Sequence, residues 1–251
     1  MNFLNSGILF LTALSGGIAF QLIPGLRKAN TRYILMFAGS YLLAITVVHI
    51  LPEVFAAFPD PAIVGVFVLA GFFIQLLIEV FSRGIEHGHT HVHASGDREI
   101  HFQSSYIWFL MTGLCLHSIL EGMIVVYPRV PVFHHHAGGI MIGIVLHKIP
   151  EAFALMTVLH YSSIKKTSIW MNLVIFSLAS PVGVLISYFV NLIPSFTIQH
   201  ISVIYGIVSG TFLYISTTIF FETSPGHHFN LKKLMFALGG ASLAIIVEMI
   251  F

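Results

Sequence analysis

Two short stretches of this chain place a histidine and a glutamate four residues apart: His117-Ser118-Ile119-Leu120-Glu121-Gly122 and His147-Lys148-Ile149-Pro150-Glu151-Ala152. On a helix, positions i and i+4 share a face about one turn apart, so an imidazole nitrogen and a carboxylate can reach the same ion. If the two faces meet, two nitrogens and two carboxylates converge, a ligand set suited to Zn²⁺ and tolerable for Fe²⁺, Mn²⁺, Cd²⁺ or Co²⁺. The neutral imidazoles add no charge, and the two carboxylates balance a dication. A single His/Glu pair could equally be a buried hydrogen bond that fixes helix packing, but two copies of the same costly pattern favour a shared metal site. His117, Glu121, His147 and Glu151 are the primary candidates. The pattern calls for no catalytic residue and no prosthetic group, the ion itself being the cargo.

The elements that carry these residues are apolar. Of 251 residues, 57% are hydrophobic and 8% charged, against roughly 25% charged in soluble domains, which excludes a water-soluble fold. A net charge of +1 without a basic stripe leaves no footprint for nucleic acid. The single cysteine, Cys115, lies in an apolar run, so it forms no intrachain disulfide and reads as a small packing residue. The N-terminal Met1-Asn2-Phe3-Leu4-Asn5 lacks the positive region of a signal peptide, so the first apolar run is expected to be a retained span.

A bilayer core needs about 20 apolar residues per helix. Eight runs qualify, near 4–24, 33–55, 62–81, 103–127, 138–160, 168–193, 200–221 and 234–251, separated by breakers such as Pro24-Gly25, Pro59-Asp60-Pro61 and Pro225-Gly226. The expected fold is an all-α integral membrane protein, a single transmembrane domain over 1–251. Arg27, Lys28, Arg32, Arg83, Arg98, Lys165, Lys166, Lys232 and Lys233, nine of the eleven basic residues, fall in one alternate set of loops. Basic loops favour the cytoplasm, which places the loop 83–101 inside and both termini outside. Gly39-Ser40-Tyr41-Leu42-Leu43 in the second run echoes Gly210-Thr211-Phe212-Leu213-Tyr214 in the seventh, as inverted repeats of spans 1–3 and 6–8 would give.

An ionisable group deep in a bilayer costs about 2.5–3.5 kcal/mol on insertion scales. Glu53, Glu79 and Glu248 lie toward span ends, and only spans 4 and 5 carry charge at mid-depth. Pro150 should kink span 5 beside the candidate ligands, while Gly122 and Ala152 leave room for a neighbouring helix. His49 and Glu53, one turn apart at the outer end of span 2, are either a relay inward or an interfacial hydrogen-bonded pair. His160, Glu222, His227 and His228 lie at cytoplasmic ends, as acceptors of a departing ion or as snorkelling groups. His87, His89, His91 and His93 form a loop tract that chelates transition metals without a fixed geometry, and reads as a cytoplasmic sensor or buffer. His134-His135-His136 lies on the opposite face.

At the two central motifs the sequence resembles the ZIP family of metal transporters, whose fourth and fifth transmembrane helices carry His-Ser/Asn-x-x-Glu/Asp-Gly and His-Lys-x-Pro-Glu patterns. The likeness extends to Leu51-Pro52-Glu53 closing span 2, the His-rich loop after span 3, and Ser180-Pro181-Val182-Gly183 in span 6. It implies a 3+2+3 helix bundle, a transport site at His117, Glu121, His147 and Glu151, and movement of Zn²⁺ and related dications toward the cytoplasm by an elevator-like slide. Some members of that family hold a second metal beside the first. The places for its ligands here are Ser118, Lys148 and Ser180, so the resemblance implies one central metal. The Lys148 ammonium can lie between Glu121 and Glu151 as a tethered counter-ion. Close carboxylates repel, so arrival of the ion is expected to displace protons. The expected setting is a multi-pass protein of the plasma or inner membrane, with divalent metal ions and lipid as partners and a homodimer compatible with both. Two rivals are an intramembrane zinc hydrolase of ceramidase type, although H-E-x-x-H is absent, and a proton-coupled organic-solute carrier.

Overall fold

The computed structural model describes residues 2–23, 32–58, 60–82, 104–125, 137–160, 162, 164–193, 197–222 and 231–250. Among them, eight helical segments are long and apolar enough to cross a bilayer. Span 1 is Asn2–Leu22 and span 3 is Pro61–Ser82. Span 4 is Ser104–Ile124 and span 5 is Ala137–His160. Span 6 is Lys166–Val190, span 7 Ile198–Glu222 and span 8 Leu231–Ile250. Span 2 is composite: an α-helix Arg32–Ile45, a π turn Thr46–Ile50 and an α-helix Leu51–Ala56. The loop histidines 87, 89, 91 and 93, His134 to His136, His227 and His228 lie outside the described residues.

Helices are the only open-ended elements that satisfy their own backbone in hydrocarbon. Hydroxyls do the same for themselves. Ser40, Thr46, Ser177 and Ser209 each donate to the carbonyl four residues back, at 2.6–2.8 Å, so they sit inside apolar spans without needing water. Span 3 starts on Pro61, where a missing N–H costs nothing, and Asp60 Oδ1 accepts the Ala62 N–H at 2.9 Å.

The π turn in span 2 has a local cause. Pro52 lacks an N–H, and its ring would meet the Val48 carbonyl in a regular helix. The backbone instead admits an extra residue, and the Leu51 N–H reaches back to the Thr46 carbonyl. His49 lies on this widened turn, its side chain buried. Pro150 and Pro181, by contrast, are carried inside spans 5 and 6 as single helices.

The spans pair in a definite pattern. Span 1 packs on spans 5 and 6, and span 4 on span 6. Span 3 packs on span 7, and span 2 on spans 7 and 8. One hydrophobic core is drawn entirely from spans 1, 4, 5 and 6, through Ala13, Leu114, Leu155 and Phe176 among others. A second centres on spans 2 and 7, around Leu42 and Phe212, and also takes in Val64 of span 3 and Leu9, Ile124, Ile144 and Val184 of the first group. Contacts of span 5 with spans 2 and 8, and of span 4 with spans 3 and 7, join the two groups, that of span 5 with span 2 about as extensive as that of span 2 with span 7. Tyr41 donates to the Gly139 carbonyl at 3.0 Å and Tyr205 to the Ile124 carbonyl at 2.9 Å, both across this boundary.

Spans 4 and 5, consecutive in the chain, do not pack closely on each other; each lies against another helix instead. A Cβ on Gly122 would collide with the Ser180 carbonyl, and one on Gly183 with the Ile119 carbonyl, so spans 4 and 6 meet backbone to backbone. Gly183→Ala is expected to force this seam open and to destabilise the protein by about 1–3 kcal/mol, the usual cost of overpacking. Thermal unfolding in detergent checks it, with Gly65→Ala, which meets nothing within 4 Å, as the neutral comparison.

Candidate metal site

The space left between spans 4 and 5 is filled by the charged side chains of both. His117, Glu121, His147 and Glu151 each turn one ligand atom inward, and these four atoms lie within 4.8 Å of one another. A tetrahedral Zn²⁺ with bonds near 2.1 Å sets its ligands roughly 3.4 Å apart. A small inward movement of the side chains closes that difference. All four residues are buried.

Span 4 contributes a pre-aligned pair, His117 Nε2 lying 3.3 Å from Glu121 Oε1. The His117 and His147 rings meet edge-on with centroids 5.8 Å apart, one from each span. Nδ1 of both histidines is buried without a hydrogen-bond partner among the described residues. Buried polar atoms are nearly always satisfied, and exceptions of this kind are compatible with an ion or a water at that place.

Lys148 occupies the middle of the arrangement. Its ammonium donates to Glu151 Oε2 at 2.7 Å and to Ser118 Oγ at 2.8 Å, and it forms an ion pair with Glu121. Ser118 Oγ in turn lies 3.5 Å from Glu151 Oε1. The Phe176 ring of span 6 stands 5.1 Å from the ammonium, the geometry of a cation–π contact. Spans 4, 5 and 6 thus converge on one fixed positive charge set between two carboxylates.

The outlying candidates separate. His49 Nε2 lies 3.8 Å from Glu53 Oε2, while its Nδ1 lies 2.9 Å from Glu248 Oε1 on span 8. The nearer carboxylate is thus one that sequence spacing could not supply, 199 positions away. The charge of Glu248 at a span end was the sole signal for it. His160 ends span 5 with its ring edge-on to Phe20, centroids 6.3 Å apart. Glu222 is the last residue of span 7. Ser180 contributes its carbonyl to the Gly122 seam.

The sequence profile described as "ZIP Zinc transporter" matches residues 85–248, a stretch that includes every residue of the central cluster. The chain belongs to the ZIP family. With its eight apolar spans it is a multi-pass membrane protein of that family. Zinc transporter ZIP1 of Danio rerio is 27% identical, with 94% of this chain and 93% of that protein covered. Protein zntD of Dictyostelium discoideum is 28% identical over 65% of this chain, which spans 25% of that relative. Zinc transporter ZIP9 of Micropogonias undulatus is 28% identical over 66% of this chain and 54% of its own length. The chain therefore matches ZIP1 nearly end to end but spans about half or less of the other two.

Proposed function

We propose that this ZIP family member carries divalent transition-metal ions, Zn²⁺ foremost, across a plasma or inner membrane toward the cytoplasm, binding them at His117, Glu121, His147 and Glu151. The observation that carries this reading is the convergence of two imidazoles and two carboxylates, buried, from two spans that otherwise avoid each other. Fe²⁺, Mn²⁺, Cd²⁺ and Co²⁺ fit the same donors less selectively. The test is purified protein in liposomes loaded with a zinc-sensitive dye: Zn²⁺-dependent fluorescence gain supports transport, and an unchanged signal with intact protein removes it.

The packing pattern supports a 3+2+3 arrangement of inverted repeats. Exchanging span 1 with 6, 2 with 7, 3 with 8 and 4 with 5 turns each of the more extensive pairings into another that is present: 1 on 5 becomes 6 on 4, 3 on 7 becomes 8 on 2, and 2 on 5 becomes 7 on 4. The same pattern supports an elevator-like slide. The metal-binding residues belong to the group of spans 1, 4, 5 and 6, which has a core of its own, while Ile124, Ile140, Ile144 and Val184 of the same group join the core centred on spans 2 and 7, a shared surface along which a slide would run. Tyr41 and Tyr205 would release and remake their hydrogen bonds as the groups move. The basic residues of one alternate set of loops support both termini lying outside.

Lys148 fills the place of a second metal, so the central site holds one. A variant lacking the His-rich loop 83–101 should bind one Zn²⁺ per chain by mass spectrometry or isotope equilibrium. Two tightly held central ions would contradict this. His49, Glu53 and Glu248 guide ions toward the site from outside, while His160, Glu222 and the loop histidines receive them inside. Replacing His49 by Ala is expected to raise the Zn²⁺ concentration for half-maximal flux several-fold while leaving maximal flux nearly unchanged, because the group acts before the central step. A fall in maximal flux alone would place His49 elsewhere in the cycle.

A further inference from the structure

We propose that the cleft between spans 4 and 6 is a binding site for an anionic phospholipid, one acyl chain lying in the cleft and the headgroup beside Lys165 and Lys166. The cleft encloses about 490 Å³, within the range of small-molecule sites. Its walls include Trp108, Met111, Cys115 and Ile119 of span 4, facing Ser168 and Met171 of span 6.

Its origin lies in the glycine seam. Spans 4 and 6 touch backbone to backbone at Gly122 and Gly183. Toward the start of both helices Trp108, Met111 and Met171, with Ile164 just before span 6, line the cleft that opens beside this packing. The cleft extends along span 4 from Ile107 to Ile119, a rise of about 18 Å of helix. One leaflet of a hydrocarbon core about 30 Å thick is about 15 Å deep, so the cleft runs from one interface to near the midplane.

Chemistry changes along that length. The deep end is apolar, with Ile119 and Ile175. At the other end stand Trp108, 75% exposed, and Ile164, the residue directly before Lys165 and Lys166. Both lysines are exposed. Tryptophan on this face suits the headgroup level, and adjacent lysines at a membrane surface select anionic over zwitterionic lipid. An apolar trough one leaflet long that ends at two positive charges matches a single anionic lipid better than a soluble ligand. Thr112 and Asn172 do not contradict this, because each donates to a carbonyl of its own helix, Trp108 and Ser168 respectively. The cleft floor is the outer side of the segment that holds His117 and Glu121, so the bound chain also braces the metal-binding span.

Cys115 lines the cleft and is the chain's single cysteine, which gives a direct readout. The full-length protein is placed in nanodiscs of phosphatidylcholine alone, or of phosphatidylcholine mixed with phosphatidylglycerol, and the rate of Cys115 alkylation by N-ethylmaleimide is measured. Phosphatidylglycerol should slow alkylation, and Lys165→Gln with Lys166→Gln should shift the phosphatidylglycerol needed for protection upward by about thirtyfold, as two surface basic residues predict. Thr112→Phe, which fills the cleft and leaves the lysines, should give protection that no longer depends on lipid. Equal protection by both lipids, with no effect of the lysine changes, would overturn the proposal in favour of ordinary bulk lipid. Alkylation that is fast in every lipid would overturn it outright.

Discussion

Replacing His117 by Ala is expected to lower Zn²⁺ flux into dye-loaded liposomes by roughly 100-fold or more, and His147→Ala by a similar factor. Loss of a group that merely supports a metal ligand costs about 10–100-fold in metal affinity or activity, and these residues are the proposed ligands themselves. The histidines are the informative choice because they are not tied to Lys148. Removing Glu151 or Glu121 would also leave that ammonium short of a partner, mixing lost function with lost stability. His117 contacts Glu121 at 3.3 Å but leaves Nδ1 without a hydrogen-bond partner among the described residues, so its removal should barely alter the melting transition in EDTA. Full transport by a folded His117→Ala protein would falsify the assignment of the site.

Lys148→Met should act in the opposite sense on binding. The lysine is buried, as are both acids it bridges, so solvent does not screen the interaction. Removing one partner of a buried ionic network costs about 3–5 kcal/mol, because the remaining charges stay buried and uncompensated. Without metal, the variant should therefore melt earlier than the wild type by an amount of that order. With Zn²⁺ bound, the ion supplies the positive charge that Lys148 supplied, and most of the loss should be recovered. Linkage fixes the consequence: destabilisation confined to the metal-free form must appear as tighter Zn²⁺ binding, about 100-fold for 3 kcal/mol. Release then slows, and maximal flux should fall even as affinity rises. Calorimetric titration with Zn²⁺ in wild type and variant decides it; weaker binding in the variant would mean that Lys148 assists the ion instead of competing with it.

The competition has a simple charge account. Two carboxylates and one ammonium leave a single negative charge among the buried groups, which neutral imidazoles do not change. A dication reverses that sign unless Lys148 withdraws from Glu121 and Glu151. Displacement of a tethered ammonium and displacement of protons are thus alternative ways of making room for the ion, and Lys148 offers the first in this chain. Metal affinity that stays flat from about pH 5.5 to 8 would favour the ammonium route.

Much of this was legible in the residues. Eight apolar runs appear as eight helical segments because hydrocarbon leaves the backbone no other open-ended solution. The i, i+4 spacing of His117 with Glu121 and His147 with Glu151 fixed the face each pair shares, and the cost of burying charge pointed to their meeting. Lys148, adjacent to His147 and three before Glu151, had only one nearby set of negative charges to join.

What the sequence did not determine was which helix lies against which. In water, an amphipathic stripe marks the packed face of a helix, but spans apolar on every side carry no such mark, and their partners depend on where backbones can approach. Gly122 and Gly183 drew span 4 to span 6, so spans 4 and 5 meet through their charged side chains across a gap, and the same seam opened the cleft beyond it. Tertiary structure alone also brought Glu248 to His49, since residues nearly two hundred positions apart have no shared period. The sequence by itself determined the helices, the depth of the charges and the donors available to a metal; only the packing decided which donors meet, because in a membrane that choice rests on the three-dimensional fit of small residues and not on any one-dimensional pattern of polarity.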